Sequence, residues 1–108
     1  MEFNYSYYFT AKAEQDFDDI LHYIAVELNN PTAAKNLASV IFKNIESLIG
    51  FPDMGLIVEN EFLVDKIIRR ILIDNYTLYY KVSEDERKIY IIRIVYGKRN
   101  LNEILSSI

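Results

Sequence analysis

The chain has no cysteine and no tryptophan, one histidine, two prolines and three glycines in 108 residues. Lack of cysteine rules out disulfides, thiolate nucleophiles and thiolate metal sites, and it suits a reducing compartment such as the cytoplasm. The lone imidazole, His22, lies off the apolar stripe of its helix, between Leu21 and Tyr23. That position predicts a solvated side chain, with no second His or Cys to share a metal and no serine placed beside it for a Ser-His-Asp site. Gly50, Gly55 and Gly97 are too scattered to form a phosphate-cradling loop. No stretch approaches the ~20 apolar residues of a membrane span, and the N-terminal residues lack the basic and apolar regions of a signal peptide. The expectation is a soluble cytoplasmic protein with no cofactor, no metal and no membrane partner.

What is present is a normal globular mixture, 51% hydrophobic and 26% charged, which fits one domain over residues 1–108. A chain of this size removes roughly 60–70% of its unfolded surface from water, so one core needs no staples. The net charge of −4 hides a division. Residues 1–65 hold 3 Lys+Arg against 11 Asp+Glu, giving −8, whereas residues 66–99 hold 9 against 4, giving +5, and Glu103 adds −1. The basic charge therefore belongs to the last third. It reads either as a patch for phosphate or an acidic protein, or as the wet faces of strands. The sequence pI of about 4.9 argues against strong nonspecific binding to nucleic acid.

Periodicity supplies the elements. Phe3, Tyr5, Tyr7 and Phe9 alternate with Asn4, Ser6 and Tyr8, predicting a strand that ends near Thr10 and, lacking a hairpin signal, pairs later in the chain. Thr10 can cap a helix whose stripe is Ala13, Phe17, Ile20, Leu21, Ile24, Ala25 and Leu28. Asn30-Pro31 restarts a second helix, striped by Ala34, Leu37, Ala38, Ile41, Ile45, Leu48 and Ile49 and stopped by Gly50-Phe51-Pro52. The short link predicts an antiparallel helical hairpin. Residues 51–66 have no clean period and read as a loop over the sheet, with a short strand placed near 62–64. Residues 67–95 then hold three runs rich in Ile, Val and Tyr, split by Asp74-Asn75 and by Ser83-Glu84-Asp85-Glu86, which predicts two successive hairpins. Tyr76, Leu78, Tyr80 and Val82 share one face of the middle run. The period leaves open which of Arg69 and Arg70 faces water. The last run is apolar on both faces except for Arg93, as in a strand covered on both sides. One helical turn at 101–105 closes the chain.

With cofactor and hydrolase chemistry removed, the residues left to carry function are Arg69, Arg70, Arg93, Lys98 and Arg99, with Tyr79 and Tyr96 among them. Guanidinium groups fork onto phosphate oxygens and tyrosine rings stack on unpaired bases, so this set suits RNA. Cleaving RNA would need in addition a base for the 2′-hydroxyl and one or two arginines for the phosphorane. No residue stands out as the base. The plainer reading is salt-bridged arginines on strands and tyrosines packed in the sheet.

The order strand, two helices, three strands and tail resembles the RelE/ParE toxins of type II toxin-antitoxin systems. The likeness is carried by Phe51-Pro52-Asp53-Met54-Gly55, Ile68-Arg69-Arg70-Ile71, Tyr76-Thr77-Leu78-Tyr79-Tyr80-Lys81-Val82 and Ile91-Ile92-Arg93-Ile94-Val95-Tyr96-Gly97-Lys98-Arg99. It implies an α/β (α+β) fold: an N-terminal strand, a helical hairpin and a three-strand meander in a curved, mainly antiparallel sheet. It further implies an antitoxin that blocks the chain, and operator DNA bound by the pair mostly through that antitoxin. RelE-like members cut mRNA in the ribosomal A site without a metal, whereas ParE-like members poison DNA gyrase. Arg99 matches an arginine that supports cleavage in RelE-like members, and Arg70 falls where they carry basic residues, which makes Arg70 and Arg99 the catalytic candidates. Thr77, however, stands where they place an arginine, and Leu105 where they place a tyrosine. Losing a phosphate-contacting arginine costs on the order of 10²–10³ in rate, so the likeness favours the gyrase mode over the endoribonuclease, with an inactive binding module or corepressor as a third reading. Leu101, Ile104 and Leu105 are the candidate antitoxin contacts, the alternative being that they pack on the domain's own sheet.

Overall fold

The computed structural model describes residues 5–59, 67–97 and 104. Strand β1 (Ser6–Phe9) leads into helix α1 (Ala11–His22), and helix α2 (Pro31–Gly50) follows. Strands β2 (Leu56–Ile57), β3 (Arg69–Ile73), β4 (Tyr76–Ser83) and β5 (Lys88–Tyr96) complete the fold. They form one sheet in the order β1-β5-β4-β3-β2. Only β1 and β5 run parallel; the other three pairings are antiparallel. The expected strand, helical hairpin and meander are all there. The short strand between α2 and the meander is Leu56–Ile57, while the expected one at 62–64 lies outside the described residues.

Local chemistry explains the joints. The Thr10 hydroxyl accepts from the Ala13 amide at 3.2 Å and the Asn30 side chain from the Ala33 amide at 3.1 Å. Each satisfies one of the orphan N–H groups of a first turn. Pro31 takes the first helical position, where its missing N–H costs nothing. The β3–β4 hairpin turns on two residues, Asp74 and Asn75, with Asp74 at φ 54°, the positive φ that a primed turn demands and Asp tolerates. One expectation needs correcting. The first helix is not regular to Leu28: from Tyr23 to Glu27 it widens into a π turn, with the Leu28 amide reaching the Tyr23 carbonyl at 3.0 Å. The wider turn keeps Ile20, Leu21 and Ile24 against the core but leaves Val26 and Leu28 exposed.

The sheet is packed on both faces. Towards the helices, Leu78, Tyr80, Ile71, Ile73, Ile89, Ile91 and Ile94 meet Ala13, Leu37, Ile41, Ile45 and Leu48. The opposite face carries a smaller cluster of Val58, Ile68, Tyr79, Ile92, Val95 and Ile104. Strand β5 contributes to both, as its hydrophobicity on both faces predicts. An irregularity makes that register work: Tyr79 lies opposite Arg93 but Tyr80 opposite Ile91. Ile92 is the extra residue of a bulge.

Candidate target-binding face of the sheet

Alternation along β3 settles which arginine faces where. Ile71 and Ile73 belong to the helix-side core, so Arg69 starts on that side and Arg70 shares the other with Ile68 and Leu72. Arg69 is committed at once. Its guanidinium donates to the Gly55 carbonyl at 2.8 Å and the Asp53 carbonyl at 3.2 Å, with the Asp53 carboxylate 3.6 Å away. It thereby pins the turn at Pro52–Met54. The same turn is held from inside by Tyr80, whose hydroxyl donates to the Pro52 carbonyl at 2.7 Å and accepts from the Gly55 amide at 2.8 Å. A Cβ on Gly55 would sit 2.7 Å from the Arg70 carbonyl oxygen and 2.7 Å from the Tyr80 hydroxyl. Only glycine lets β3 and the Tyr80 ring approach so closely. Burial raises the Tyr80 pKa, because the phenolate would have to be made without water.

Arg93 has a different post. Strand β1 ends at Phe9, opposite Ile91, so the upper edge of β5 needs other partners. The start of α1 supplies them. The Thr10 amide donates to the Ile91 carbonyl and the Thr10 hydroxyl to the Ile92 carbonyl, while the Asp16 carboxylate accepts from the Ile94 amide at 3.0 Å. That same carboxylate accepts from Arg93 Nε at 2.7 Å and Nη2 at 3.2 Å, with both side chains 11% exposed. Arg93 is thus a buried clasp between α1 and β5, as in the plainer reading of salt-bridged arginines on strands. Neither the stripe nor the charge pattern could show this, since the partners are 77 residues apart and Asp16 looks like one more acid on a solvated helix.

The predicted set therefore divides. Arg70 and Tyr79 are cross-strand neighbours in register and share the outer face. Tyr79 is buried there, and its pKa is raised by burial and pulled back by the Arg70 charge. Tyr96 is exposed but faces the helix side, its ring 5.3 Å from that of Tyr76. Ile104 packs on the outer face against the domain's own sheet. Lys98, Arg99, Leu101 and Leu105 lie outside the described residues. Arg70, half-buried, has no carboxylate partner among the described residues. It borders a hollow of about 390 Å³ at the β2–β3 edge of the sheet that Asn44 of α2, Met54, Gly55, Leu56, Ile71 and Leu72 also line, and Met54, Leu56 and Leu72 are exposed. Thr77, where RelE-like enzymes keep an arginine, is 7% exposed. His22 is exposed, as its off-stripe position predicts. Among the described residues no three His, Asp or Glu side chains gather as metal ligands, and no helix is long and apolar enough to cross a membrane.

Sequence and structure meet at this point in one class. Residues 7–101 match the family described as the ParE toxin of type II toxin-antitoxin system, parDE. The chain belongs to that family and is a toxin of a type II toxin-antitoxin system. Its fold is similar to that in the chromosomal ParDE system from P. aeruginosa, with TM-score 0.66 and 22% identity over 89% of this chain and 99% of that one. It is also similar to the toxin-antitoxin complex RelBE2 from Mycobacterium tuberculosis, with TM-score 0.59 and 20% identity over 86% and 98%. The isolated E. coli RelE toxin gives TM-score 0.59 and 13% identity over 92% and 90%. These three likenesses establish the fold. No curated protein matches the sequence.

Proposed function

We propose that the chain arrests growth in the cytoplasm by binding a protein target through the outer sheet face around Arg70, in the ParE-like mode with DNA gyrase as target, and that a cognate antitoxin holds it inactive. The observation that supports a protein target is the lining of the hollow beside Arg70, where exposed Met54, Leu56 and Leu72 stand with Asn44 and no second cation among the described residues, Lys81 being the one other described cation on the Arg70 face of β3 and β4. An arginine ringed by aliphatic side chains is the make-up of a protein-interface anchor. Tracking a phosphate backbone takes several cations side by side. The buried Thr77 and the Asp16-bound Arg93 remove two guanidiniums from any transition-state role on this face. Operator DNA enters through the antitoxin. The complex of similar fold from P. aeruginosa is described as a ParDE toxin-antitoxin system, which supports the antitoxin as partner.

The test is a pair of assays on purified antitoxin-free protein. Gyrase supercoiling should be inhibited, and Arg70→Ala should weaken inhibition roughly tenfold or more, the usual cost of truncating an interface anchor. Programmed ribosomes should keep their A-site mRNA intact. Cleavage of that mRNA with gyrase unaffected would replace this reading by the endoribonuclease.

A further inference from the structure

A second surface lies on the helix side of the sheet, around the corner from Arg70. There the π turn, the start of α2 and the ends of β4 and β5 enclose a groove of about 850 Å³. Its floor is apolar, with Ile20, Ile24, Leu28, Ala33 and Ile94. Its rim carries three phenols, from Tyr23, Tyr76 and Tyr96, and the carboxylates of Asp16 and Asp19. The Asp16 charge is taken up by Arg93. Asp19 accepts one neutral hydrogen bond, from the Gln15 amide at 2.8 Å, and has no cationic partner among the described residues. Among the described residues no lysine or arginine lines the groove. The widened turn, in which the Leu28 amide bonds five residues back, supplies Tyr23 and Ile24 to its lining. Among the described residues the groove is therefore greasy along its floor, aromatic and acidic at its mouth, and short of one positive charge.

We infer that this groove seats a lysine or arginine side chain carried on an apolar segment of the cognate antitoxin, the stem lying over Ile20, Ile24 and Ile94 and the cationic head meeting Asp19 and the faces of Tyr23 and Tyr96. Long cationic side chains bury their stems on apolar surface and place their heads against carboxylates and aromatic faces. The local field agrees. The Tyr76 phenol is held protonated, first by burial and then by the neighbouring Tyr96 and Tyr23 oxygens, so the phenols of the groove are neutral at neutral pH and the negative charge that lacks a cationic partner among the described residues is that of Asp19. The antitoxin is the occupant because the groove opens on the opposite side of the sheet from the Arg70 face that the proposed function gives to the target. The inference rests on that reading.

The experiment has two readouts. In the first, the free toxin is titrated with n-butylguanidinium and, separately, with n-butanol while amide and tyrosine ring signals are followed by NMR. The cation should shift Tyr23, Ile24 and Tyr96 at several-fold lower concentration than the alcohol, and Asp19→Asn should erase the difference. In the second, growth is followed in cells expressing the toxin with or without its antitoxin. Asp19→Arg and Tyr23→Ala, both at exposed positions, should still arrest growth but should escape the antitoxin, with affinity of the purified pair falling roughly tenfold. Equal shifts by alcohol and cation, or variants neutralised as well as the wild type, would overturn the inference while leaving the proposed function standing. Loss of growth arrest in a folded Asp19→Arg protein would give the groove to the target and overturn it too. A wild-type toxin that its antitoxin fails to neutralise would remove both readings together.

Discussion

Replacing Asp16 with alanine strips one carboxylate that accepts three hydrogen bonds, two from Arg93 and one from the Ile94 amide. Both charged side chains are 11% exposed, so the pair belongs with buried ion pairs, not with surface ones. Deleting one member of a buried pair costs about 3–5 kcal/mol, because the remaining charge keeps its desolvation penalty and loses that partner's attraction. The orphaned Ile94 amide adds to this, although not additively, since the groups share one network. A domain of this size is stabilised by about 5–15 kcal/mol and loses about 4 °C of Tm or more per kcal/mol. Asp16→Ala should therefore lower Tm by roughly 12–20 °C. The companion change separates clasp from cation. In Asp16→Leu/Arg93→Met the penalty should largely vanish, because apolar replacement of a whole buried pair is often neutral or better. Thermal and urea melts of the two single variants and the double variant form the cycle. A cost below about 1 kcal/mol for Asp16→Ala, the range of an exposed pair, would refute the buried-clasp reasoning.

Tyr80→Phe keeps the ring but orphans the Gly55 amide and the Pro52 carbonyl, so urea unfolding should show a loss of about 1–3 kcal/mol. Gly55→Ala forces a methyl to within 2.7 Å of the Arg70 carbonyl and the Tyr80 hydroxyl; overpacking of this kind costs about 1–3 kcal/mol, and an unchanged urea midpoint would contradict the close approach. For pH, the Tyr79 and Tyr80 phenols have folded-state pKa values raised by burial above the ordinary 10.0. A raised value means the folded state holds its proton longer, so this stability is complete below about pH 10 and is lost as pH climbs through the folded-state values. The urea midpoint should stay level from about pH 7 to 9 and fall above about 10, less steeply in Tyr80→Phe.

The elements were legible because their periods are strong. The stripes over Ala13–Ile24 and Leu37–Leu48, the alternation around Leu78 and Tyr80, and the two-sided hydrophobicity of β5 each translate directly into a packed surface. What the pattern missed were long-range polar choices. The extra residue at Ile92 shifts register by one without altering the apolar count of β5, and it sets Arg93 beside an edge that β1 leaves bare. Asp16, Thr10 and Arg93 then answer to backbone groups distant in sequence, which no local window can see. Likewise, three arginines in a basic segment read as one surface, yet Arg69 braces the Pro52–Met54 turn, Arg93 clasps α1 and Arg70 alone of the three keeps its guanidinium uncommitted among the described residues. The motif Phe51-Pro52-Asp53-Met54-Gly55, quoted for its likeness, has a physical basis in the Tyr80 hydroxyl and the Gly55 gap.

The most direct check is to induce the chain without its antitoxin and follow a reporter plasmid and a reporter transcript in the same culture. The account predicts that growth stops as the plasmid loses negative supercoils, with the transcript uncut, and that Arg70→Ala delays both effects. A plasmid that stays fully supercoiled while the transcript is cut within translated codons would contradict it.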